Sequence, residues 1–195
     1  MSGLERIVTV RHGETEWSAS GQHTSRTDLP LIEAGREQAR ALAPSLRSRA
    51  FAQVLSSPFK RALETCELTG FGDRVEVRDD LHEWDYGEFE GLTTHQIRSQ
   101  RPDWELWRDG CPGGESPEEI CSRADRLLES LDDSGGDVII FAHGHILRVL
   151  CARWLGMPVT AGARFALNAG TLSVLGHERE TRVIERWNEM PDNLL

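Results

Sequence analysis

A histidine and an arginine stand side by side where a short apolar segment of the sequence ends. Arg11 and His12 directly follow residues 7–10, whose continuous apolar character is typical of a strand buried on both faces. A guanidinium matches phosphate or carboxylate oxygens, and a neutral imidazole can act as a nucleophile. The pair therefore indicates a site for an anionic substrate, with an ordinary surface pair as the alternative.

Two further strand ends carry residues of the same kinds. His143 and His145 follow the apolar run 138–142 and open a helical segment, and Arg61 lies in the first turn of the helix after residues 54–56. Parallel strands of an open sheet end at one crevice, so these side chains are expected to converge there. A helix N-terminus would join them and also favours an anion. The pattern predicts a phosphate pocket built without a metal ion.

Single residues in this pattern have other interpretations. Arg61 could pair with Glu64 or Thr65 on the surface of its own helix. His145 is expected to pack or form a hydrogen bond on its helix rather than reach the phosphate. The sequence offers no carboxylates at metal-ligand spacing beside the two late histidines, which disfavours a metal-dependent hydrolase.

Strands alternate with helices along the whole chain, which predicts an α/β fold in one domain, residues 1–195. Pro44 is expected to kink or end the first long helix, and residues 16–30 are interpreted as a loop. Ser57 and Pro58 are interpreted as the N-cap and first residue of a helix. The predicted strands are 7–10, 54–56, 75–77, 138–142, 171–175 and 181–187, and the helical segments are 33–50, the one beginning at 57–58, 93–100, 116–131 and 146–155.

The acidic balance of the chain excludes several partners. Its 195 residues carry a formal net charge of −10, which disfavours nucleic acid and anionic membrane surfaces. The four cysteines have no short paired spacing, which disfavours a zinc site or a redox dithiol. We interpret them as reduced thiols of a cytoplasmic protein. No stretch approaches the roughly 20 apolar residues of a membrane span. A homodimer remains open.

Taken together, the motifs of the chain resemble the histidine phosphatase superfamily, the phosphoglycerate-mutase-like group. The resemblance runs in order over nearly the whole sequence. Several stretches are most similar to the sedoheptulose-bisphosphatase-like and broad acid phosphatase branch. The motifs that carry the resemblance are Arg11-His12-Gly13-Glu14-Thr15, Gly21-Gln22-His23-Thr24, Ser56-Ser57-Pro58 with Arg61, Glu83-Trp84-Asp85-Tyr86-Gly87, Trp107-Arg108-Asp109-Gly110-Cys111 and Phe141-Ala142-His143-Gly144-His145.

The resemblance implies a three-layer α/β/α sandwich with a mostly parallel central sheet and a phosphatase that needs no cofactor. It implies that His12 is the nucleophile, which forms a phosphohistidine, and that Glu83 is the proton donor. Arg11, Arg61 and His143 would hold the phosphoryl oxygens. Such roles agree with the chemistry, because phosphoryl transfer depends on positioning and on stabilising charge at three oxygens.

The resemblance also places substrate-binding residues around the pocket. At the position of Ser18 many relatives carry Asn, and at Ser25 many carry Gly. Arg148 lies one helical turn after Gly144, so it is expected to reach the pocket rim and hold a far phosphate of the substrate. A surface pair with a nearby acid is its alternative. The expected substrate-binding set is Arg11, Arg61, Ser18, His23, Thr24, Gly144 and Arg148.

Two expectations concern the proton donor and its neighbours. Among the six acids between Asp79 and Glu90, the family motif selects Glu83, with Asp85 and Glu88 as the alternatives, and nearby acids are expected to raise the pKa of Glu83. Two arginines are expected to lower the pKa of His12.

The residues after the proton donor distinguish a phosphatase from a mutase. Family mutases have Arg-His directly after the proton donor, whereas here Trp84 is expected to form part of the pocket wall and Asp85 to repel a substrate carboxylate. The sequence therefore favours hydrolysis of small phosphorylated molecules over a mutase or a non-catalytic phosphate-binding relative.

Overall fold

The computed structural model describes residues 4–131 and 135–190. These residues form one mixed β-sheet with helices packed on it. In the described residues this sheet has six strands in the order β3-β2-β4-β1-β5-β6. The first four are mutually parallel, and the last two add an antiparallel hairpin. The strands are β1 Ile7–Arg11, β2 Gln53–Ser56, β3 Glu76–Val77, β4 Val138–Ala142, β5 Leu172–Glu178 and β6 Thr181–Glu189.

Helices cover both faces of the sheet, as continuous apolar strands require. Alternate residues of β4 face opposite sides: Ile140 joins the apolar cluster beneath the later helices, and Phe141 joins the cluster beneath the earlier ones. This arrangement confirms the predicted α/β sandwich. None of the described helices is long and apolar enough to cross a membrane. The helices are α1 Glu16–Ser20, α2 Glu33–Arg47, α3 Lys60–Thr69, α4 Thr94–Gln100, α5 Leu106–Asp109, α6 Pro117–Leu131 and α7 Gly144–Trp154.

The predicted start of α3 at Ser57 and Pro58 is wrong. Helix α3 begins at Lys60, with Phe59 as its N-cap. The backbone N–H of Ser57 instead donates to the carbonyl of Phe141 at 3.0 Å, which prolongs the ladder between β2 and β4. Tertiary pairing therefore outweighs the local capping preference of Ser and Pro.

Two local expectations about helices need correction. Residues 16–30 contain α1, whose start is fixed by a capping box between Thr15 and Ser18. Helix α2 does not end at Pro44 but continues to Arg47, so of the two expected effects of Pro44 only the kink stays a prediction. Pro44 is exposed, so the helical carbonyl that it leaves without a donor can be solvated, while Leu46 beyond it stays in the core.

Candidate active site

The carboxyl ends of β1 and β4 bring two histidines into contact. The N–H of His12 donates to the carbonyl of Ala142, the last residue of β4, at 3.0 Å, so the ladder continues one residue past β1. The rings of His12 and His143 lie edge to face with centroids 5.1 Å apart. Beside His12 a cavity of about 220 Å³ opens. Its lining residues are Arg11, His12, Ser18, Gly21, Gln22, His23, Thr24, Glu83, Tyr86, Thr94, Gly144, His145, Arg148 and Leu167.

One hydrogen bond sets the tautomer of His12. Its Nδ1 lies 2.7 Å from the carbonyl of Gly13. A carbonyl only accepts, so Nδ1 carries the proton and Nε2 keeps a lone pair. Burial, together with the charges of Arg61 and Arg11, lowers the pKa of His12 to about 3. The imidazole is therefore neutral and nucleophilic over the physiological pH range, as the sequence predicts.

Gly13 is held so that its carbonyl can orient His12. Its N–H donates to Thr65 Oγ1 at 3.2 Å. A Cβ at this position would collide with the backbone carbonyl of Gly35. Only glycine therefore lets the turn after β1 approach α2 closely enough to form this arrangement.

Arg11 presents an unsatisfied donor beside the cavity. Its Nη1 donates to the carbonyl of Leu167, whereas its buried Nε has no hydrogen-bond partner among the described residues. A buried donor without a partner costs about 1–3 kcal/mol, which an anionic oxygen would offset. Gly144 leaves space for this guanidinium, because a Cβ there would lie 3.3 Å from Arg11 Cζ.

Arg61 lies behind His143 and not on the cavity wall. Its Nε donates to His143 Nδ1 at 3.0 Å. Its terminal nitrogens donate to three backbone carbonyls, those of Thr27 at 3.1 Å, Ser25 at 3.0 Å and Thr24 at 3.4 Å. The alternative of a pair between Arg61 and Glu64 is wrong, because the Glu64 carboxylate binds Arg36 instead. Thr65 does contact Arg61, but its hydroxyl donates to the backbone carbonyl of Arg61 within the same helix.

The Arg61 contact fixes the tautomer of His143 as well. Because Nδ1 accepts from Arg61, the proton of the neutral ring is on Nε2, which lies 2.7 Å from Ser57 Oγ. Burial and the charges of Arg61 and His12 hold the pKa of His143 well below its usual range. His143 is fully buried and does not line the cavity, so its predicted contact with phosphate stays a prediction. The sequence analysis missed Ser57 because it assigned that residue to a helix cap.

Glu83 binds the N-terminus of α7. Its Oε1 accepts from the backbone N–H groups of Trp84 at 2.9 Å, His145 at 3.1 Å and Ile146 at 2.9 Å. Within residues 4–131 and 135–190, its Oε2 accepts only from the His145 N–H, at 3.0 Å. The first turn of α7 has N–H groups without helical partners, and these groups favour a carboxylate. Oε2 is thus the oxygen with room for a proton.

The expectation that acidic neighbours raise the pKa of Glu83 is wrong. Burial does oppose its ionisation, but its hydrogen-bonding contacts with His145 outweigh burial and hold the Glu83 pKa well below its usual range. The nearby acids are engaged elsewhere: Asp85 pairs with Arg26 at 2.7 Å, and Glu90 accepts from the Ser25 N–H at 2.9 Å. Glu83 must therefore gain a proton before it can donate one.

The far wall of the cavity contains several of the predicted substrate-binding residues. His23 lies there with Nδ1 bonded to Leu92 O at 2.7 Å, and the Thr24 hydroxyl donates to Gln22 O at 3.2 Å. The Ser18 hydroxyl reaches this wall but serves the capping box of α1.

Arg148 also lines the cavity, although without an acidic partner among its described hydrogen bonds. Its guanidinium donates to the carbonyls of Gly162 at 2.9 Å and Ala163 at 3.1 Å, and it stacks 4.7 Å from the centre of Trp107. The alternative of a surface pair with an acid is therefore wrong. Fixed in this way, Arg148 keeps a positive charge at the rim of the cavity.

Two expectations about the pocket wall are corrected. Trp84 is fully buried and packs edge to face on Trp107 at 5.5 Å, so it does not line the cavity. Asp85 lies outside the lining and is paired with Arg26. His145, expected to pack or to form a hydrogen bond rather than reach the phosphate, forms a hydrogen bond with Tyr86 and also lines the cavity. Across residues 4–131 and 135–190, no group of three or more His, Cys, Asp or Glu residues is arranged to hold a metal ion.

Comparisons with known proteins agree with this geometry. An acid phosphatase of Mycobacterium tuberculosis is 40% identical over 183 residues, which cover 91% of this chain and 89% of that protein. A sedoheptulose 1,7-bisphosphatase of Saccharomyces cerevisiae is 37% identical over 187 residues, covering 79% of this chain and 69% of that protein. A solved structure of an open reading frame from Mycobacterium tuberculosis has a TM-score of 0.89 at 38% identity, covering 96% of this chain and 98% of the other.

These relatives confirm the predicted branch. The family model for the histidine phosphatase superfamily (branch 1) matches residues 7–190, a range that includes every residue of the cavity. The chain belongs to the histidine phosphatase superfamily.

Proposed function

We propose that this protein hydrolyses phosphomonoesters of small metabolites, sugar phosphates in particular, through a phosphohistidine on His12. The observation that carries the proposal is the state of that imidazole. Its Nδ1 is fixed on the Gly13 carbonyl, its Nε2 keeps a lone pair, and its pKa is lowered to about 3. A neutral nucleophile beside a guanidinium with an unsatisfied N–H is suited to attack on a phosphoryl group.

The first chemical step transfers the phosphoryl group to the protein. The Nε2 lone pair of His12 forms the N–P bond while the ester P–O bond breaks. The Arg11 guanidinium stabilises charge on the phosphoryl oxygens. Arg61 holds the His143 ring, whose Nε2–H is bonded to Ser57 Oγ and would have to leave that hydroxyl to donate to the same oxygens. Protonated Glu83 gives its proton from Oε2 to the leaving oxygen, which departs as an alcohol.

The second step restores the protein. Glu83, now a carboxylate, accepts a proton from a water molecule at Oε2 while the water oxygen attacks phosphorus. The N–P bond breaks, inorganic phosphate forms, and His12 is neutral again. Splitting hydrolysis in this way lets the same carboxyl act first as an acid and then as a base.

The pKa directions determine the pH dependence. His12 stays neutral at every pH above about 4, because its pKa is about 3, so its protonation does not limit activity near neutrality. The low pKa of Glu83 means that the resting protein must bind a proton to become active. Turnover of substrates with poor leaving groups should therefore decline as pH rises, with the optimum on the acid side.

The substrate class is supported by the far wall of the cavity. It presents imidazole, hydroxyl and guanidinium groups from His23, Tyr86 and Arg148, which can bind hydroxyls and a second anion. The relatives with the names acid phosphatase and sedoheptulose 1,7-bisphosphatase support phosphorylated sugars. The mutase alternative is disfavoured, because the residues after Glu83 supply no cation to the cavity: Trp84 is buried and Asp85 is paired with Arg26.

A phosphate-release assay tests this proposal. Purified protein is assayed on sugar phosphates, sugar bisphosphates, phosphoglycerates, nucleotides and an aryl phosphate. We expect release from sugar phosphates and the aryl phosphate, and a loss of at least 10³-fold in His12→Ala. Exposed His95 provides the matched control, and His95→Ala should keep wild-type activity. Unchanged turnover in His12→Ala would refute the phosphohistidine route.

A further inference from the structure

A second pair of titratable groups lies directly beside the proposed proton donor. The hydroxyl of Tyr86 is 2.6 Å from Nδ1 of His145. The same Nδ1 is 3.8 Å from Oε2 of Glu83. The reaction described above uses neither side chain, although both line the cavity.

The hydrogen bonds of Glu83 determine which of its oxygens exchanges protons. Oε1 is surrounded by three backbone N–H donors, whereas Oε2 accepts from one. Oε2 is also the oxygen that faces the His145 ring. Any proton that reaches Glu83 therefore binds on the side of His145.

Exposure gives His145 a route to solvent that Glu83 lacks. The Glu83 side chain is 6% exposed and that of His145 is 24% exposed. A phosphoester bound at His12 would cover the remaining surface of the carboxyl group, since both residues line one cavity. The imidazole then offers the shortest connection between water and Oε2.

The surroundings of His145 hold the ring in this position and leave it neutral at rest. Its ring is nearly parallel to that of His23, with the ring centroids 6.3 Å apart, and its centroid lies 5.4 Å from that of the Trp107 ring. The charged and titratable groups that face it are Glu83 and Tyr86 from the segment before α4, His23 from the loop after α1, and Arg148 on α7 itself. Burial lowers the pKa of His145 despite the nearby Glu83 carboxylate.

We propose that His145, oriented by Tyr86, is a positioning residue that carries protons between solvent and Oε2 of Glu83. The inference rests on the proposed function, since it supplies the proton that Glu83 needs before the first step. It explains how a carboxyl that is ionised at rest can act as an acid.

The proton balance of this relay is complete within one turnover. When a phosphomonoester dianion binds, its charge draws one proton from solvent onto His145. Because Nδ1 lies 3.8 Å from Oε2, beyond direct hydrogen-bond distance, it passes this proton to Glu83 through one bridging water, and the imidazole returns to its neutral form. Glu83 gives the proton to the leaving alcohol and regains one from water in the second step. After phosphate leaves, that proton returns through His145 to solvent.

Leaving-group dependence tests the relay. An alkyl phosphate needs a proton on its leaving oxygen, whereas p-nitrophenyl phosphate needs very little, so the two substrates separate proton delivery from binding. In His145→Asn, which keeps the backbone N–H donor to Glu83, we expect kcat for the alkyl phosphate to fall at least tenfold and kcat for the aryl phosphate less than threefold. Glu83→Gln is the reference for complete loss of proton delivery, and His95→Asn is the control.

Two further measurements keep the test decisive. The decline of alkyl phosphate turnover with rising pH should move to lower pH by about one unit in His145→Asn. Tyr86→Phe keeps the imidazole and should show a smaller loss with the same dependence on leaving group. Equal losses on both substrates in both variants, with an unmoved pH profile, would overturn the relay and leave the His12 chemistry intact. Failure of the proposed function shows separately, as turnover that survives His12→Ala.

Discussion

The two ends of the active-site cavity are built from different kinds of structure. At the phosphate end, His12 and His143 directly follow neighbouring parallel strands, and backbone hydrogen bonds between those strands place them. At the far end, the wall comes from the loop after α1, the segment around Tyr86 and the second turn of α7. There the positions depend on side-chain contacts, such as the bond of His23 to the Leu92 carbonyl.

The difference assigns separate tasks to the two ends. A strand ladder fixes its terminal residues firmly, which suits groups that must stabilise a transition state. Loop and helix side chains can change without loss of the sheet, which suits groups that select the leaving part of the substrate. Substitutions at the phosphate end should therefore affect all substrates alike, and those at the far end should discriminate between them.

After His12 itself, the largest effect is expected at Arg11. Arg11→Met removes the guanidinium and its unsatisfied N–H while retaining much of the side-chain volume. We expect kcat/KM to fall by about 10²–10³-fold, equally for an aryl phosphate and for a sugar phosphate. Steady-state kinetics on both substrates measure this, with exposed Arg40→Met as the control. A loss confined to one substrate would contradict the division between the two ends.

A smaller and selective effect is expected at Arg148. Its charge is held at the rim by the carbonyls of Gly162 and Ala163. Arg148→Met should raise KM for a sugar bisphosphate roughly 10–150-fold, which corresponds to a loss of about 1.5–3 kcal/mol in binding free energy. The KM for an aryl phosphate should change little. Thermal unfolding of the variant measures how much stability is lost with the two carbonyl contacts. Arg164 is exposed, so Arg164→Met is the matched control. Equal effects on both substrates would make Arg148 a structural residue.

The last effect concerns the stability of the fold in acid and leaves the comparison of substrates untouched. The folded pKa of His12 is about 3 and that of an unfolded histidine is about 6.5, so the unfolded chain binds more protons between these values. The contribution of neutral, buried His12 to the free energy of unfolding is complete above pH 6.5. This contribution is lost as pH falls toward 3, at about 1.4 kcal/mol per pH unit for a single group. Urea unfolding from pH 7 to 4.5 should show this slope.

Variants identify the source of that slope. In His12→Asn the unfolded chain should bind about one proton fewer in excess of the folded chain over this pH range, so the slope should fall by about 1.4 kcal/mol per pH unit. His143 should contribute in the same direction, since its folded pKa also lies below the usual range. An unchanged slope in His12→Asn would show that the ring is not buried as a neutral group.

The same division describes what the sequence could predict. The apolar runs before His12 and His143 identified their strands, and the geometry of parallel strands then placed both histidines at one crevice. The partners of Arg61 could not be read in this way. Its guanidinium binds carbonyls 34 to 37 residues away in a loop with no periodic pattern.

Glu83 shows a second limit of sequence reasoning. Counting the charges near it along the chain gave the wrong direction for its pKa, because its carboxylate contacts His145 and Ile146 at the start of α7, 62 and 63 residues away. Ser57 shows a third limit, since the pairing of β2 with β4 displaced a favourable helix cap. In each case a tertiary contact outweighed the local signal.

Trapping the phosphorylated protein tests the central claim most directly. Wild-type protein is mixed with a phosphoester, quenched under alkaline conditions within the first turnovers, and digested for mass spectrometry. We expect one acid-labile phosphate on the peptide that contains His12, up to one per chain, and none in His12→Ala. Phosphate on another residue, or rapid turnover with no phosphorylated His12 at any quench time, would contradict the account.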